Sequence, residues 1–164
     1  MREVPHYHIL LWIENAPVVS IDRPEEVCSF IQDRITCHIP DRKMSPNLNI
    51  LVIRYQMHKS SNCCKRNIKV CKTYLSRCRF DFPRPVRDSI CINDVENSLK
   101  SCNKLYYLKR NEKEVRVNDN NPLLLTLWRA NIDLQYIADR SLSLTEYVWI
   151  CHYNRTKSCT GLMG

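Results

Sequence analysis

Apolar residues fall in short runs whose period changes along the chain. Pro5-His6-Tyr7-His8-Ile9-Leu10-Leu11-Trp12-Ile13 is rich in leucine, β-branched and aromatic side chains and is bounded by Pro5 and by Glu14-Asn15-Ala16-Pro17, which predicts a strand. Asp22-Arg23-Pro24-Glu25-Glu26 sets a proline and two acids where a helix N-terminus favours them. Val27, Phe30, Ile31 and Ile35 follow at helical spacing, and Pro40 ends the element. A second helix is expected from Ser45-Pro46 to His58, with Leu48, Leu51, Val52 and Tyr55 on its buried face.

Leu105–Arg110, a turn at Asn111-Glu112-Lys113, and Glu114–Asn118 read as a β-hairpin. The loop to Pro122 then caps a short helix expected to bury Leu123, Leu124, Leu127 and Trp128. Asn131–Ile137 alternates as a strand, with Asp133 and Gln135 on the polar face and Ile132, Leu134 and Tyr136 on the other. Ser143-Leu144-Thr145-Glu146 has the form of a capping box, predicting a last helix through about Tyr153 with Tyr147 one turn in. The fold class expected is α+β in a single domain over residues 1–164.

Charge sharpens this outline. The net +8 is concentrated between Arg54 and Arg87, where ten Lys and Arg face the single acid Asp81 while the remaining residues sum to about −1. A block of this density suits a polyanion such as nucleic acid, although a solvated surface has the same composition. No apolar run approaches a membrane span or a signal-peptide core, so the chain is expected inside the cell, and its ten cysteines read as thiols or metal ligands rather than disulfides. Both glycines, Gly161 and Gly164, are in the last four residues, which excludes a phosphate-cradling glycine loop, and with it a P-loop ATPase site, within this chain.

Two groups of residues carry candidate chemistry. His6 and His8 share one face of their strand and either converge on a divalent metal or occupy a half-polar sheet face. The segment 54–87 holds His58, Cys63, Cys64, Cys71 and Cys78, enough ligands for a tetrahedral zinc, although the spacing matches neither a C2H2 finger nor a CxxC ribbon. Reduced, unpaired thiols are the alternative.

Taken in order, Val4-Pro5-His6-Tyr7-His8-Ile9-Leu10-Leu11-Trp12, His38-Ile39-Pro40-Asp41, Leu51–Lys59, Cys78-Arg79-Phe80-Asp81-Phe82-Pro83-Arg84-Pro85, Asn121-Pro122-Leu123-Leu124 and Trp128–Tyr136 resemble the replication-initiator (Rep) part of Helitron transposon proteins, the Helitron helicase-like domain. The resemblance spans nearly the whole chain. It implies an HUH-type antiparallel sheet with packed helices and an inserted Cys/His-rich basic segment: residues 1–14 as the HUH strand, 54–87 as the insert, 105–157 as hairpin, strand and tyrosine helix. It implies a nuclear enzyme that nicks and joins single-stranded DNA during rolling-circle transposition, with His6 and His8 holding Mg²⁺ or Mn²⁺ and Tyr147 as nucleophile. Gln135, or Asp133 in its place, is the expected third ligand, from its position on the polar face of a neighbouring strand. His58, Cys64 and Cys78, with Cys71 or Cys63, are the expected zinc ligands. Lys65, Arg66, Lys69, Lys72, Arg77, Arg79 and Arg84 are expected to meet nucleic acid.

The chain also departs from the family pattern. Cys151 stands where a second tyrosine belongs, Ser60 replaces a cysteine, and Asp81 replaces the glycine of the family's "CRFGFP". Few residues precede His6, and the helicase that follows the Rep part in the family is not expected within these 164 residues. The expectation is therefore a fragment, an N-terminally truncated and partly degenerate copy whose HUH strand lacks its upstream partner strands, with a non-catalytic nucleic-acid-binding module or an inactive remnant as alternatives.

Overall fold

The computed structural model describes residues 6–19, 21–70, 73–92, 105–137 and 147–153. It is an α+β fold built on a three-stranded antiparallel sheet. Strand β1 (His6–Trp12) pairs with β7 (Tyr147–Tyr153), which pairs in turn with β6 (Asn131–Ile137). Strand β1 is thus an edge strand among the described residues.

One face of this sheet is packed. Ile132, Leu134 and Tyr136 are buried on β6, and Ile9 on β1 packs against the same cluster. Helix α1 (Pro24–Arg34) lays Val27 and Ile31 into that core, as its spacing predicts, and begins with Pro24 and two acids in its first turn. Asn121 caps helix α3 (Pro122–Trp128) by accepting from the Leu124 N–H, and its own amide donates to the Arg34 carbonyl at 2.8 Å. One asparagine therefore ties the start of α3 to the end of α1.

Several expectations are corrected. Tyr147–Tyr153, expected as a helix, is the central strand of the sheet. Tyr-Val-Trp-Ile is β-branched and aromatic, and such side chains gain more between two partner strands than in a lone helical turn. Its proposed capping box at 143–146 lies outside the described residues. The second helix stops early: α2 (Pro46–Leu51) gives way to a wider π turn at Val52–Gln56. There Gln56, fully buried, donates to the Ala130 carbonyl at 3.0 Å and accepts from the Ile132 N–H at 3.4 Å. The turn is fixed by a polar latch to β6.

The hairpin expected at 105–118 does not form. Strand β5 (Tyr106–Tyr107) pairs instead with β4 (Cys91–Ile92), and residues 114–120 join segments remote in sequence. Val117 bridges to Met57, Asn120 to Thr36, and the Asp119 carbonyl accepts from Leu134 N–H at 2.9 Å. The hairpin that does form lies within the basic segment, β2 (Lys65–Val70) against β3 (Thr73–Cys78). On α3, Leu125 is the fully buried residue, whereas Leu123 and Leu127 are 67% and 70% exposed and Trp128 is exposed as well. Seven residues can bury only one narrow stripe, and here Leu124 and Leu125 occupy it.

Candidate metal centre and nucleic-acid interface

His58 leaves the π turn through an N–H donated to the Arg116 carbonyl at 2.7 Å. A single 3-10 turn, Asn62–Cys64, then brings Cys64 to the foot of the β2–β3 hairpin, where Lys65 pairs with Cys78. The donor atoms of His58, Cys64 and Cys78 lie within 4.8 Å of one another. Cys78 Sγ is 3.4 Å from His58 Nε2. Tetrahedral zinc with ordinary Zn–S and Zn–N bonds sets neighbouring ligand atoms roughly 3.5 Å apart. The three side chains can therefore hold a metal ion with small rotations. Cys64 Sγ donates to the Ser61 carbonyl at 3.0 Å and receives the Ser61 N–H at 3.3 Å. Metal binding would expel that thiol proton and leave the N–H to support the thiolate.

Aromatic packing fixes the imidazole. The Phe82 ring stacks on His58 at 4.4 Å and 10° between planes, and Phe80 meets it edge-on at 5.9 Å. Phe82, Cys64 and Cys78 form a small second core. The chain reaches Phe82 through Asp81, whose φ is +57°. Left-handed backbone is the region glycine enters most freely and Asp tolerates.

Of the expected fourth ligands, Cys71 lies outside the described residues, and its neighbour Val70 stands five strand positions, about 17 Å, from the Cys78 end of the hairpin. The side chain of Cys63 is likewise not described.

The basic residues divide. Lys65, Arg66, Arg77 and Arg79 are exposed on and beside the hairpin. Arg77 makes a surface ion pair with Asp81 at 3.3 Å, and Arg79 lies over the Phe80 ring at 4.7 Å. Lys72 and the side chain of Lys69 fall outside what is described. Arg84 is corrected: it is 8% exposed and pairs with buried Asp119 at 3.2 Å, so it is a structural ion and not a contact for nucleic acid. Arg110 holds the other carboxylate oxygen of Asp119 at 2.7 Å and donates to the carbonyls of Glu114 and Val117. Burial pushes the Asp119 carboxyl above its ordinary range, opposed by the two guanidinium groups. Neither Arg110 nor Asp119 stood out in the sequence, because a surface pair and a buried pair have the same letters.

The register arranges the remaining candidates in cross-strand rows. His6 is level with Tyr153 and Asn131, His8 with Cys151 and Asp133, and Leu10 with Trp149 and Gln135. Directly opposed residues share a sheet face, so the His8 row holds Asp133 while Gln135 is one row further on. Strands β1 and β6 are two spacings apart across β7, about 9.5 Å. Tyr147 pairs with Trp12 and Ile137, four and six positions along from the His8 and His6 pairs, or about 13 and 20 Å. The strand thus carries Tyr147 to the end of β1 remote from the histidines.

Asp133 is the unusual group here. Its Oδ2 accepts from Gln135 Nε2 at 3.3 Å, whereas its Oδ1 is sealed from solvent with no hydrogen-bond partner. Burial drives its carboxyl from 3.8 to about 6, with Asp119 adding to the rise and Arg84 opposing it.

No family model, curated protein or solved structure matches the chain. No described helix is long and apolar enough to cross a membrane.

Proposed function

We propose that the chain is a Helitron-type Rep relative that grips single-stranded nucleic acid through a zinc-clipped basic hairpin. The observation that carries this reading is the three-ligand cluster at the hairpin foot, with donor atoms within 4.8 Å of one another. Lys65, Arg66, Arg77 and Arg79 stand exposed beside it. Two short strands with little core of their own gain order from a metal clip, and a soft S₂N donor set favours zinc over magnesium. The family link is supported at Asp81, where the left-handed backbone falls on the position that is glycine in the family pattern.

The test is the metal content of purified protein, together with anisotropy of a labelled single-stranded oligonucleotide across a salt series. About one equivalent of zinc is expected, with affinity falling as salt rises, by about 0.7 in logarithmic slope per phosphate neutralised. Reversing Arg66 and Arg77 to Glu should flatten that slope. Binding that ignores salt, or survives reversal unchanged, refutes the reading.

A second reading, metal-dependent nicking through His6, His8 and a third ligand with Mg²⁺ or Mn²⁺, is favoured by the cross-strand row of His8 and Asp133 and by the unsatisfied Oδ1. Incubation with oligonucleotide and Mn²⁺ would then yield a covalent protein–DNA adduct. Its absence, or its persistence in Tyr147→Phe, removes nicking by Tyr147.

A further inference from the structure

Away from the cysteine cluster, a cavity of about 550 Å³ opens between residues 35–38, 86–88 and 108–114. That volume is in the range that takes small organic ligands. The cavity contains a built polar pair. Glu114, whose side chain is 6% exposed, accepts from His38 Nδ1 at 2.6 Å, from the Ile39 N–H at 3.2 Å and from the Asn111 N–H at 3.0 Å. Burial alone would raise its carboxyl, but these hydrogen bonds together outweigh burial and hold it below the ordinary value. An ionised carboxylate only accepts, so Nδ1 carries the hydrogen. That leaves Nε2 of a largely exposed ring for a ligand, the arrangement by which proteins fix the tautomer of a working histidine.

The same cavity is lined by Arg87 and Lys109, both exposed, and by the apolar Ile35 and Leu108. The Arg87 guanidinium lies 4.8 Å from the Tyr107 ring centre, within cation–π reach. Cys37 offers no nucleophile there: its thiol donates to the Lys109 carbonyl at 3.2 Å, and burial pushes it up to about 12.

We propose that this cavity binds a nucleoside phosphate, with the base stacked on Arg87, the phosphate met by Lys109 and a sugar hydroxyl donating to His38 Nε2. Guanidinium planes stack on bases, and cationic donors take phosphate. Asp88 and Glu112, which also line the cavity, suit the amino and hydroxyl groups of a nucleoside. The ligand is a free nucleotide or one residue of a strand, and the site stands apart from the hairpin.

Calorimetric titration with deoxyadenosine 5′-monophosphate tests it, on the full chain and on His38→Ala and Arg87→Ala, both solvent-facing positions. One-to-one binding is expected, weakened tenfold or more in each variant, with inorganic phosphate at least tenfold weaker than the nucleotide. Variants with Arg66 and Arg77 reversed to Glu should keep nucleotide binding while losing the hairpin's grip, so the two proposals fail separately. In that background, competition by a short oligonucleotide assigns the site to a strand, and nucleotide binding without competition assigns it to free nucleotide. No binding of the nucleotide, equal binding in His38→Ala and Arg87→Ala, or equal affinity for inorganic phosphate overturns the proposal. Arg87→Lys, which keeps the charge without the planar group, should restore phosphate affinity but not the preference for nucleotide.

Discussion

Replacing Asp133 by Asn should stabilise the metal-free protein at neutral pH. The residue is half-buried as a whole, yet its Oδ1 is sealed and unpartnered, so the ionised form has lost water without gaining a donor. The folded carboxyl titrates at about 6 against an ordinary 3.8. A folded value above the unfolded one means that the fold holds the proton more tightly. Its contribution to stability is therefore fully present below about pH 4 and lost as pH rises through about 6. The gap of about two pH units, at about 1.4 kcal/mol each, corresponds to about 3 kcal/mol at pH 7. Asn cannot ionise, and its amide can still pair with Gln135. Urea denaturation with chelator present, from pH 4 to 8, should show Asp133→Asn gaining on the wild type through pH 4–6 and level above about 7. Parallel pH profiles for the two proteins would refute the account of a strained, buried carboxylate. Adding Mn²⁺ should narrow the gap if Asp133 takes part in a metal site, because a cation would relieve the same strain.

Three further outcomes follow from the packing. Asp119→Ala leaves Arg110 and Arg84 buried without their shared carboxylate and should cost roughly 3–5 kcal/mol in chemical denaturation. Leu125→Ala should cost about 2–5 kcal/mol, whereas Leu127→Ala should stay within about 0.5 kcal/mol; equal losses would mean that α3 buries its other face. Asp81→Gly should raise stability by about 0.5 kcal/mol in thermal unfolding, because glycine meets φ of +57° without a Cβ penalty. Loss of stability there would show that the Arg77–Asp81 pair outweighs the backbone.

Local signals were legible where one segment sufficed to specify its structure. Val27 and Ile31 on α1, the Asn121 cap of α3 and the alternation of β6 all appear in the structure as the residues predict. The cluster of His58, Cys64 and Cys78 was half legible. His58, Cys64 and Cys78 were recognisable as ligands by type, but only the pairing of Lys65 with Cys78 brings two of them to one end of a hairpin.

What the sequence determined by itself was the inventory: an α+β pattern, a basic cysteine-rich segment, paired histidines on a strand, and a first helix with its proline and acidic first turn. Tertiary structure decided the partners. Tyr147–Tyr153 became a strand because β1 and β6 offer it hydrogen bonds on both sides, which outweighs a local helix signal. Residues 114–120 became a hub instead of half a hairpin, because their donors and acceptors are met by Gln56, His58, Thr36 and Leu134. Arg84 left the basic surface for the same reason, drawn inward by Asp119. Hydrogen bonds and ion pairs between segments tens of residues apart leave no periodic trace in either segment, so only the folded chain reveals them.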